Sequence, residues 1–139
     1  MGYTHYWGDT VISEDTWEQI LPAIQKLLAL PEASEVIQFE WDNSAPPVAD
    51  GELIQFNGIG NDGSETFYFH RTGRDGCHWF CKTARKPYDK VATAALCIIG
   101  HYLVKNGVEH GIESDGYFSE WEGRELVSKV LDEPLAFSL

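Results

Sequence analysis

Alternating hydrophobic and polar residues predict several short β-strands in this chain. The first covers GYTHYW at residues 2–7, and the second lies in EVIQFEW, where Ile37, Phe39 and Trp41 alternate with polar side chains. The runs ELIQFN, ETFYFHR and CHWFCK follow, joined by the turn sequences GIGNDGS and TGRDG. We predict that these three runs form an antiparallel meander, and that a last short strand passes through GIESDG.

Apolar residues spaced three or four positions apart predict three helices. Serine, proline and glycine at the ends of these stretches supply the expected start and stop signals. Pro22 is expected to kink the first helix or to delay its start. The predicted boundaries are Ser13 or Asp15 and Pro31 for the first helix, Pro87 and Gly107 for the second, and the capping box Ser119-x-x-Glu122 for the start of the third.

The predicted element order is β-α-β-β-β-β-α-β-α. It indicates a single α+β domain over residues 1–139, with a mainly antiparallel sheet of about five or six strands and three helices chiefly on one face. A chain of 139 residues is long enough to bury a core as one domain. It contains no run of 18 apolar residues and no signal-peptide pattern, so we expect a cytoplasmic protein that does not enter membranes.

Charge is distributed unevenly along the chain. The formal net charge is −12, and an acidic surface repels the phosphate backbone of nucleic acids, so general nucleic-acid binding is not expected. Six of the ten Lys and Arg residues nevertheless lie within 20 positions: Arg71, Arg74, Lys82, Arg85, Lys86 and Lys90. Such a local group of cations can hold a small anion, and the segment CKTARKPYD at residues 81–89 is the candidate.

The turn before the second helix is the predicted anion site. Because the residue before a proline avoids helical geometry, the helix should begin at Pro87, with Lys82, Arg85 and Lys86 beside its free amides. Arg85 suits bidentate contact with phosphate or carboxylate, whereas the lysines act as point charges. The other predicted ligand contacts in the segment are Thr83, Tyr88 and Asp89, the last as a helix cap or as the partner of a ribose hydroxyl. The alternative is a solvated loop whose cations neutralise nearby carboxylates.

The first strand carries aromatic side chains that can both stack and form hydrogen bonds. Tyr3, His5, Tyr6 and Trp7 are predicted to hold a planar group such as a base. His5 is also a candidate general acid or base, because imidazole titrates near neutral pH. The alternative is an aromatic cluster of the core that contains a hydrogen-bonded histidine.

Asp115, in the sequence Ser114-Asp-Gly, is a second candidate for chemistry. We predict that its carboxylate acts with His5 if the protein is an enzyme, or holds a sugar hydroxyl if the protein only binds a ligand. The alternative is a simple turn, for which Asp and Gly supply the backbone geometry.

Two further motifs do not predict a site. Residues 58–63, GIGNDG, match the dinucleotide fingerprint G-x-G-x-x-G, but the SETFYF that follows predicts a strand where that motif needs a helix. Cys77, His78 and Cys81 do not match the ligand spacing of zinc sites, and on a strand Cys77, Trp79 and Cys81 would face the core. We therefore expect no metal and no cofactor, and reduced thiols.

The blocks GYTHYW, FNGIGNDGSETF and FCKTARKPYD, with the later SDG, together resemble a set of small uncharacterised proteins found in phages, prophages and some bacteria. The resemblance covers most of the chain. It implies kinship and carries no activity with it. A phage setting implies a role directed at the host or against its defences, in the cytoplasm of the bacterial host cell.

Together, these features predict binding, with sequestration as one use, of a small phosphorylated, nucleotide-like ligand by a phage anti-defence protein. The first alternative is an enzyme acting on a phosphate-containing nucleotide, with His5 and Asp115 as acid and base. The second is an acidic inhibitor that docks on a host protein, suggested by the net charge of −12. The expected partner is the small ligand, and the sequence leaves a homo-oligomer open.

Overall fold

The structure, a computed structural model, describes residues 2–73 and 79–139. Within these ranges it contains four helices, six strands and two single-turn 3₁₀ segments. The helices are α1 (Glu14–Ala29), α2 (Pro31–Ser34), α3 (Asp89–Lys105) and α4 (Gly123–Val127). The strands are β1 (Thr4–Tyr6), β2 (Val48–Ala49), β3 (Leu53–Phe56), β4 (Phe67–His70), β5 (Phe80–Lys82) and β6 (Glu113–Ser114), and the 3₁₀ segments are Gly60–Asp62 and Phe118–Glu120.

The strands form two antiparallel sheets, ordered β5-β1-β6 and β2-β3-β4 across the residues described. The α+β class is therefore confirmed, whereas the strands do not share one sheet and the helices number four rather than three. The expected meander holds for ELIQFN and ETFYFHR, which pair as β3 and β4. CHWFCK does not extend it, because β5 pairs with β1 instead, with Cys81 opposite His5. The TGRDG turn falls largely outside the described residues.

Helix α1 begins and ends where its local signals predict. Ser13 is the N-cap, and its side chain accepts a hydrogen bond from the Thr16 amide at 3.3 Å. Pro22 lies inside the helix, and the chain leaves helical geometry at Leu30, so that Pro31 opens the short α2. The buried face of α1 contains Trp17, Ile20, Ala23, Ile24 and Leu27, as the three-four spacing predicts.

The strand predicted in EVIQFEW is wrong. This segment makes only isolated bridges, one of them between Gln38 and Asn57. The chain instead turns back on itself, since the Phe39 amide donates to the Ala45 carbonyl and Glu40 bridges Asn43. These local bonds occupy the backbone groups that a strand would offer to a neighbour.

Two predicted helix starts are also wrong. Helix α3 begins at Asp89, two residues after Pro87, with Tyr88 as N-cap. The capping box at 119–122 is not used, because Ser119 lies in the 3₁₀ segment and α4 begins only at Gly123. The end of α3 is as expected, since Gly107 follows the C-cap Asn106 with φ of 70°, a conformation that favours glycine.

Helix α3 is the centre of the core and packs against both α1 and α4. All but five of its 17 residues are buried. Opposite it, the rings of Phe56 and Phe67 stack with centroids 4.8 Å apart, and Phe69 lies against Trp17. None of the helices in the described ranges is long and apolar enough to cross a bilayer.

Two of the three cysteines can be placed. Cys81 and Cys97 are free and buried, and Cys77 lies outside the described residues. Burial raises the pKa of the Cys97 thiol to about 12, and burial also raises the pKa of Cys81, so both thiols stay protonated near neutral pH. Trp79, predicted to join the core on the same strand face as Cys81, is instead 42% exposed.

Candidate functional site

Strand β1 is the centre of the sheet that carries most of the predicted site residues. Its side chains alternate between two faces, as a strand requires. Tyr3, His5 and Trp7 point inward and are 4%, 0% and 3% exposed. Tyr6 lies on the outer face, opposite Phe80 of β5. Tyr3, His5 and Trp7 therefore belong to the core rather than to an open stacking surface, and Tyr6 is the aromatic residue of GYTHYW on the outer face.

His5 lies in a chain of hydrogen bonds that joins three distant parts of the sequence. Its Nε2 atom is 2.7 Å from Asp89 Oδ1 on α3, and its Nδ1 atom is 2.8 Å from Ser114 Oγ on β6. Asp89 Oδ1 also accepts a 2.5 Å hydrogen bond from the Thr83 hydroxyl. We call His5, Asp89, Ser114 and Thr83 the His5 network. Within this network both ring nitrogens of the fully buried His5 imidazole have a hydrogen-bond partner.

The partners assign the proton positions in the His5 network. An ionised carboxylate only accepts hydrogen bonds, so His5 Nε2 carries the hydrogen that Asp89 accepts. In a neutral ring Nδ1 is then an acceptor, and the Ser114 hydroxyl must donate to it. The Gly116 amide donates to Ser114 Oγ at 3.0 Å, and the Tyr3 side chain also shares a hydrogen bond with Ser114. With a neutral His5 ring, the hydrogen bonds run from Gly116 through Ser114 and His5 to Asp89.

The turn that follows β5 has an uncommon backbone. Ala84 and Arg85 have φ values of 53° and 59°, both in the left-handed region that residues with a Cβ seldom occupy. The Thr83 and Ala84 amides both donate to the Tyr3 carbonyl, and the Lys86 amide donates to the Thr83 carbonyl. We call residues 82–88 the cationic turn. Its shape is fixed by β1 on one side and by the start of α3 on the other.

A second loop supports the cationic turn from the opposite side. Tyr88 is fully buried, and its hydroxyl donates to the Glu65 carbonyl at 2.5 Å. Glu65 Oε1 accepts from the Lys82 amide at 2.8 Å, and Lys86 Nζ donates to the Asn61 carbonyl at 3.1 Å. Burial raises the pKa of Tyr88, with nearby Cys81 as a smaller cause, so this hydroxyl stays a donor. The glycine-rich block FNGIGNDGSETF and the cation-rich block CKTARKPYD are therefore in contact in the folded chain.

Arg85 stacks on the first strand. Its guanidinium carbon lies 3.9 Å from the centroid of the Tyr3 ring, within the range of a cation–π contact. The Arg85 residue remains exposed, so the other face of the guanidinium can meet a ligand. The pKa of Tyr3 is raised, first by burial and then by the nearby Asp89 carboxylate, while Arg85 lowers it. The Tyr3 hydroxyl therefore stays protonated.

The cations of the cationic turn have no carboxylate partner in the described part of the chain. The ion pairs found there involve other basic residues, namely His5, His70, Arg71, His101, Lys105 and Lys129. Lys82, Arg85 and Lys86 make none, although the chain has 22 carboxylate side chains. Lys82 is exposed and lies opposite Thr4, on the same outer face as Tyr6.

Asp115 lies on the outer face. Its Oδ2 accepts from the Thr4 amide at 3.0 Å, and its Oδ1 accepts from the Tyr6 hydroxyl at 3.2 Å. His5, the residue predicted to act with it, lies on the inner face with Asp89 and Ser114. The two predicted catalytic residues are therefore divided between the faces of the sheet.

Two residues outside the predicted site organise it. Ser114 completes the His5 network, although in the sequence S-D-G only Asp115 was a candidate site residue. Asn57 is fully buried; its amide nitrogen donates to the Ser64 carbonyl and its Oδ1 accepts from the Gly58 and Ser64 amides, which shapes the loop beneath Lys86. An asparagine at the start of a glycine-rich stretch is the sequence signal for such a turn-forming role.

The predicted residues thus divide into a buried group and an exposed one. The structure places Tyr3, His5, Trp7, Thr83 and Tyr88 inside, and it places Tyr6, Lys82, Arg85, Lys86 and Asp115 at least partly exposed, with Asp89 between them. In the ranges 2–73 and 79–139, no cluster of three His, Cys, Asp or Glu side chains is placed to share a metal ion. Comparison with protein-family models, curated proteins and solved structures finds no match to this chain.

Proposed function

We propose that the protein binds a small phosphorylated, nucleotide-like ligand, with the phosphate held by the cationic turn. The observation that carries the proposal is that Lys82, Arg85 and Lys86 have no carboxylate partner among the described residues of a chain with net charge −12. An anion placed there would gain charge-assisted hydrogen bonds without breaking an existing ion pair. Arg85 presents a planar fork suited to phosphate, and the lysines add point charges.

The rigidity of the cationic turn supports the same function. A left-handed residue with a Cβ costs on the order of 1–3 kcal/mol, and such strain persists where surrounding contacts impose it and where a ligand site needs it. Here the left-handed conformation of Ala84 and Arg85 is imposed by the hydrogen bonds of the Thr83 and Ala84 amides to β1 and by the packing of buried Tyr88. A turn already held in one shape loses little conformational entropy when a ligand binds.

The outer face of the sheet offers contacts for the rest of the ligand. The Tyr6 and Phe80 rings lie 6.5 Å apart on this face, next to Lys82, and are the proposed support for a planar base. Asp115 is the proposed acceptor for a ribose hydroxyl, because its carboxylate is exposed and fixed by Thr4 and Tyr6. Tyr3, His5 and Trp7 contribute indirectly, by holding β1 and Arg85 in place.

The proposed use is sequestration of a nucleotide signal in an infected cell. This follows the resemblance to small phage and prophage proteins and would place the protein in the cytoplasm of a bacterial host. Sequestration needs tight binding of the nucleotide.

The test is a thermal-shift and calorimetry panel at low ionic strength, with inorganic phosphate, AMP, ADP, cyclic AMP, cyclic di-AMP and cyclic di-GMP. We expect at least one nucleotide to raise the melting temperature. The variant Lys82→Gln/Arg85→Gln should weaken its binding by 10-fold or more, about 1.4 kcal/mol or above, because two charge-assisted contacts are lost.

The matched control is Lys26→Gln/Lys105→Gln, which removes the same charge from α1 and α3 at exposed positions. Its affinity should stay within about 2-fold of the wild type, since distant exposed charges are screened. No response from any member of the panel would contradict the proposal, and so would an equal loss in both double variants. A silent panel together with capture of a basic host protein would favour the acidic inhibitor.

A further inference from the structure

The His5 network has the composition and direction of a nucleophile with its base. A serine hydroxyl, an imidazole and a carboxylate form one hydrogen-bonded line, with Ser114 Oγ 2.8 Å from His5 and His5 2.7 Å from Asp89. In serine hydrolases the same three groups transfer a proton from serine to histidine while the carboxylate stabilises the imidazolium. The ring nitrogens are exchanged here, since Nδ1 faces the serine and Nε2 faces the carboxylate. Neutral imidazole accepts a proton equally well at either nitrogen once the other is held as a donor.

The solvent exposure of each group fits its role, with Ser114 as nucleophile, His5 as base and Asp89 as the stabilising carboxylate. His5 is fully buried and the Asp89 side chain is 15% exposed, so the base is shielded from water. Ser114 is half-buried at the end of β6, so it is more exposed than the His5 ring to which it bonds. A substrate would contact Ser114, while the proton moves along bonds that are already formed. Asp89 acts through His5 and is a positioning residue.

Two further groups surround Ser114. A Cβ added to Gly116 would lie 2.2 Å from the Tyr3 hydroxyl oxygen, so this hydroxyl lies directly against the turn that carries Ser114. The Tyr3 and Ser114 side chains share a hydrogen bond, and the Tyr3 hydroxyl is the donor that we assign to a developing oxyanion. Arg85 covers the ring of the same tyrosine, so a cation of the cationic turn contacts the residue that lies against the Ser114 turn.

We propose that Ser114 is a nucleophile, activated by His5 and Asp89, that cleaves an acyl ester of a phosphorylated, nucleotide-like alcohol. Ser114 Oγ bonds to the acyl carbon as its proton passes to His5 Nδ1. The ester C–O bond then breaks, and the proton passes from His5 to the leaving alcohol oxygen. Water attacks the acyl-serine, gives one proton to His5, and releases the carboxylic acid as that proton returns to Ser114 Oγ. The nature of the alcohol rests on the proposed function, whereas the reactivity of Ser114 does not.

The test measures the reaction of Ser114 with a fluorophosphonate reagent, followed by intact-protein and peptide mass spectrometry, with hydrolysis of p-nitrophenyl acetate as a second readout. We expect one adduct on the peptide containing Ser114, absent in Ser114→Ala and retained in Ser119→Ala. Ser119 is an exposed serine five residues away and serves as the matched control. The reagent needs no nucleotide, so labelling supports the nucleophile even where the nucleotide panel gives no response.

The decisive comparison is Asp89→Asn. The amide oxygen can keep both hydrogen bonds of the network, so the circular-dichroism spectrum should be unchanged. The negative charge that stabilises the imidazolium is lost, so the labelling rate should fall on the order of 100-fold or more. A network that only holds the fold together predicts no adduct in the wild type, or equal rates in the wild type and Asp89→Asn, and either result would overturn the proposal. Nucleotide binding with no adduct at Ser114 would support the proposed function and contradict the assignment of Ser114 as a nucleophile.

Discussion

Replacing Asp89 with alanine is expected to destabilise the protein by about 3 kcal/mol. The carboxylate accepts from His5 Nε2 at 2.7 Å and from the Thr83 hydroxyl at 2.5 Å, and both donors belong to fully buried residues. Alanine would leave them without an acceptor in a place that water reaches poorly, and each hydrogen bond to a charged group contributes about 1.5–3 kcal/mol. Urea unfolding measures the effect as a lower midpoint with an unchanged slope.

Glu14→Ala is the control for the position of Asp89 at a helix start. Glu14 is the first residue of α1, as Asp89 is of α3, so both substitutions remove an acid from the positive end of a helix dipole. Glu14 is 82% exposed and faces only a 4.0 Å contact with Arg71. The Glu14→Ala variant should lose much less unfolding free energy than Asp89→Ala. The difference between the two variants measures the contribution of the His5 network to stability. Equal losses would show that the network contributes nothing to stability.

Gly123→Ala is expected to destabilise the protein by a comparable amount, but for a different reason. Helices α3 and α4 approach so closely that a Cβ on Gly123 would lie 2.2 Å from the Ala94 backbone nitrogen and 2.4 Å from the Lys90 carbonyl oxygen. Backbone atoms cannot rotate away, so one helix must move, at a cost of about 3 kcal/mol. For a domain of this size we expect the melting temperature to fall by about 10 °C.

Gly51→Ala is the matched control for Gly123. A Cβ at Gly51 would meet nothing within 4 Å, and the residue is exposed. Its melting temperature should stay within about 2 °C of the wild type, because exposed substitutions rarely change stability by more than about 0.5 kcal/mol. A Gly123→Ala variant as stable as Gly51→Ala would contradict the packing of α4 on α3 described here.

Elements defined by neighbouring residues could be predicted from the sequence. The start of α1 follows from Ser13 and its end from Pro31, and the end of α3 follows from Gly107, because each signal acts on the backbone beside it. The strand predicted around Phe39 failed although its alternation was clear. Alternation predicts which side chains are buried, and here it holds only in part, since Ile37 is buried, Phe39 is half-buried and Trp41 is 54% exposed. The segment turns back at Glu40–Asn43, so its side chains do not keep the two faces of a strand.

The candidate site was less predictable because it is assembled from distant segments. His5 contacts residues 84 and 109 positions away, and no local pattern specifies such pairs. The choice between Ser114 and Asp115 shows the difficulty most clearly. Adjacent strand residues face opposite sides of a sheet, so a difference of one residue separates the inner network from the outer face. The cationic turn was accessible to sequence reasoning, since its charges and its proline are consecutive, but its left-handed backbone was not.

The strain at Ala84 and Arg85 links the stability of the fold to the proposed ligand site. The same bonds that hold these residues also tie β1 to the start of α3, where Asp89 meets His5. The chain therefore uses one junction to place the cations outside and the His5 network inside. We expect substitutions at this junction to change both stability and ligand affinity.

The most direct test of the central claim, that the cationic turn holds the phosphate, is a titration of ¹⁵N-labelled protein followed by backbone and arginine side-chain NMR. Inorganic phosphate and ADP are the probes, with adenosine as the phosphate-free comparison. If the cationic turn holds the phosphate, inorganic phosphate and ADP will both shift the amides of residues 82–88 and the Arg85 side chain, and adenosine will leave them unchanged. Phosphate-dependent shifts confined to other parts of the chain, or no shifts at all, would contradict it.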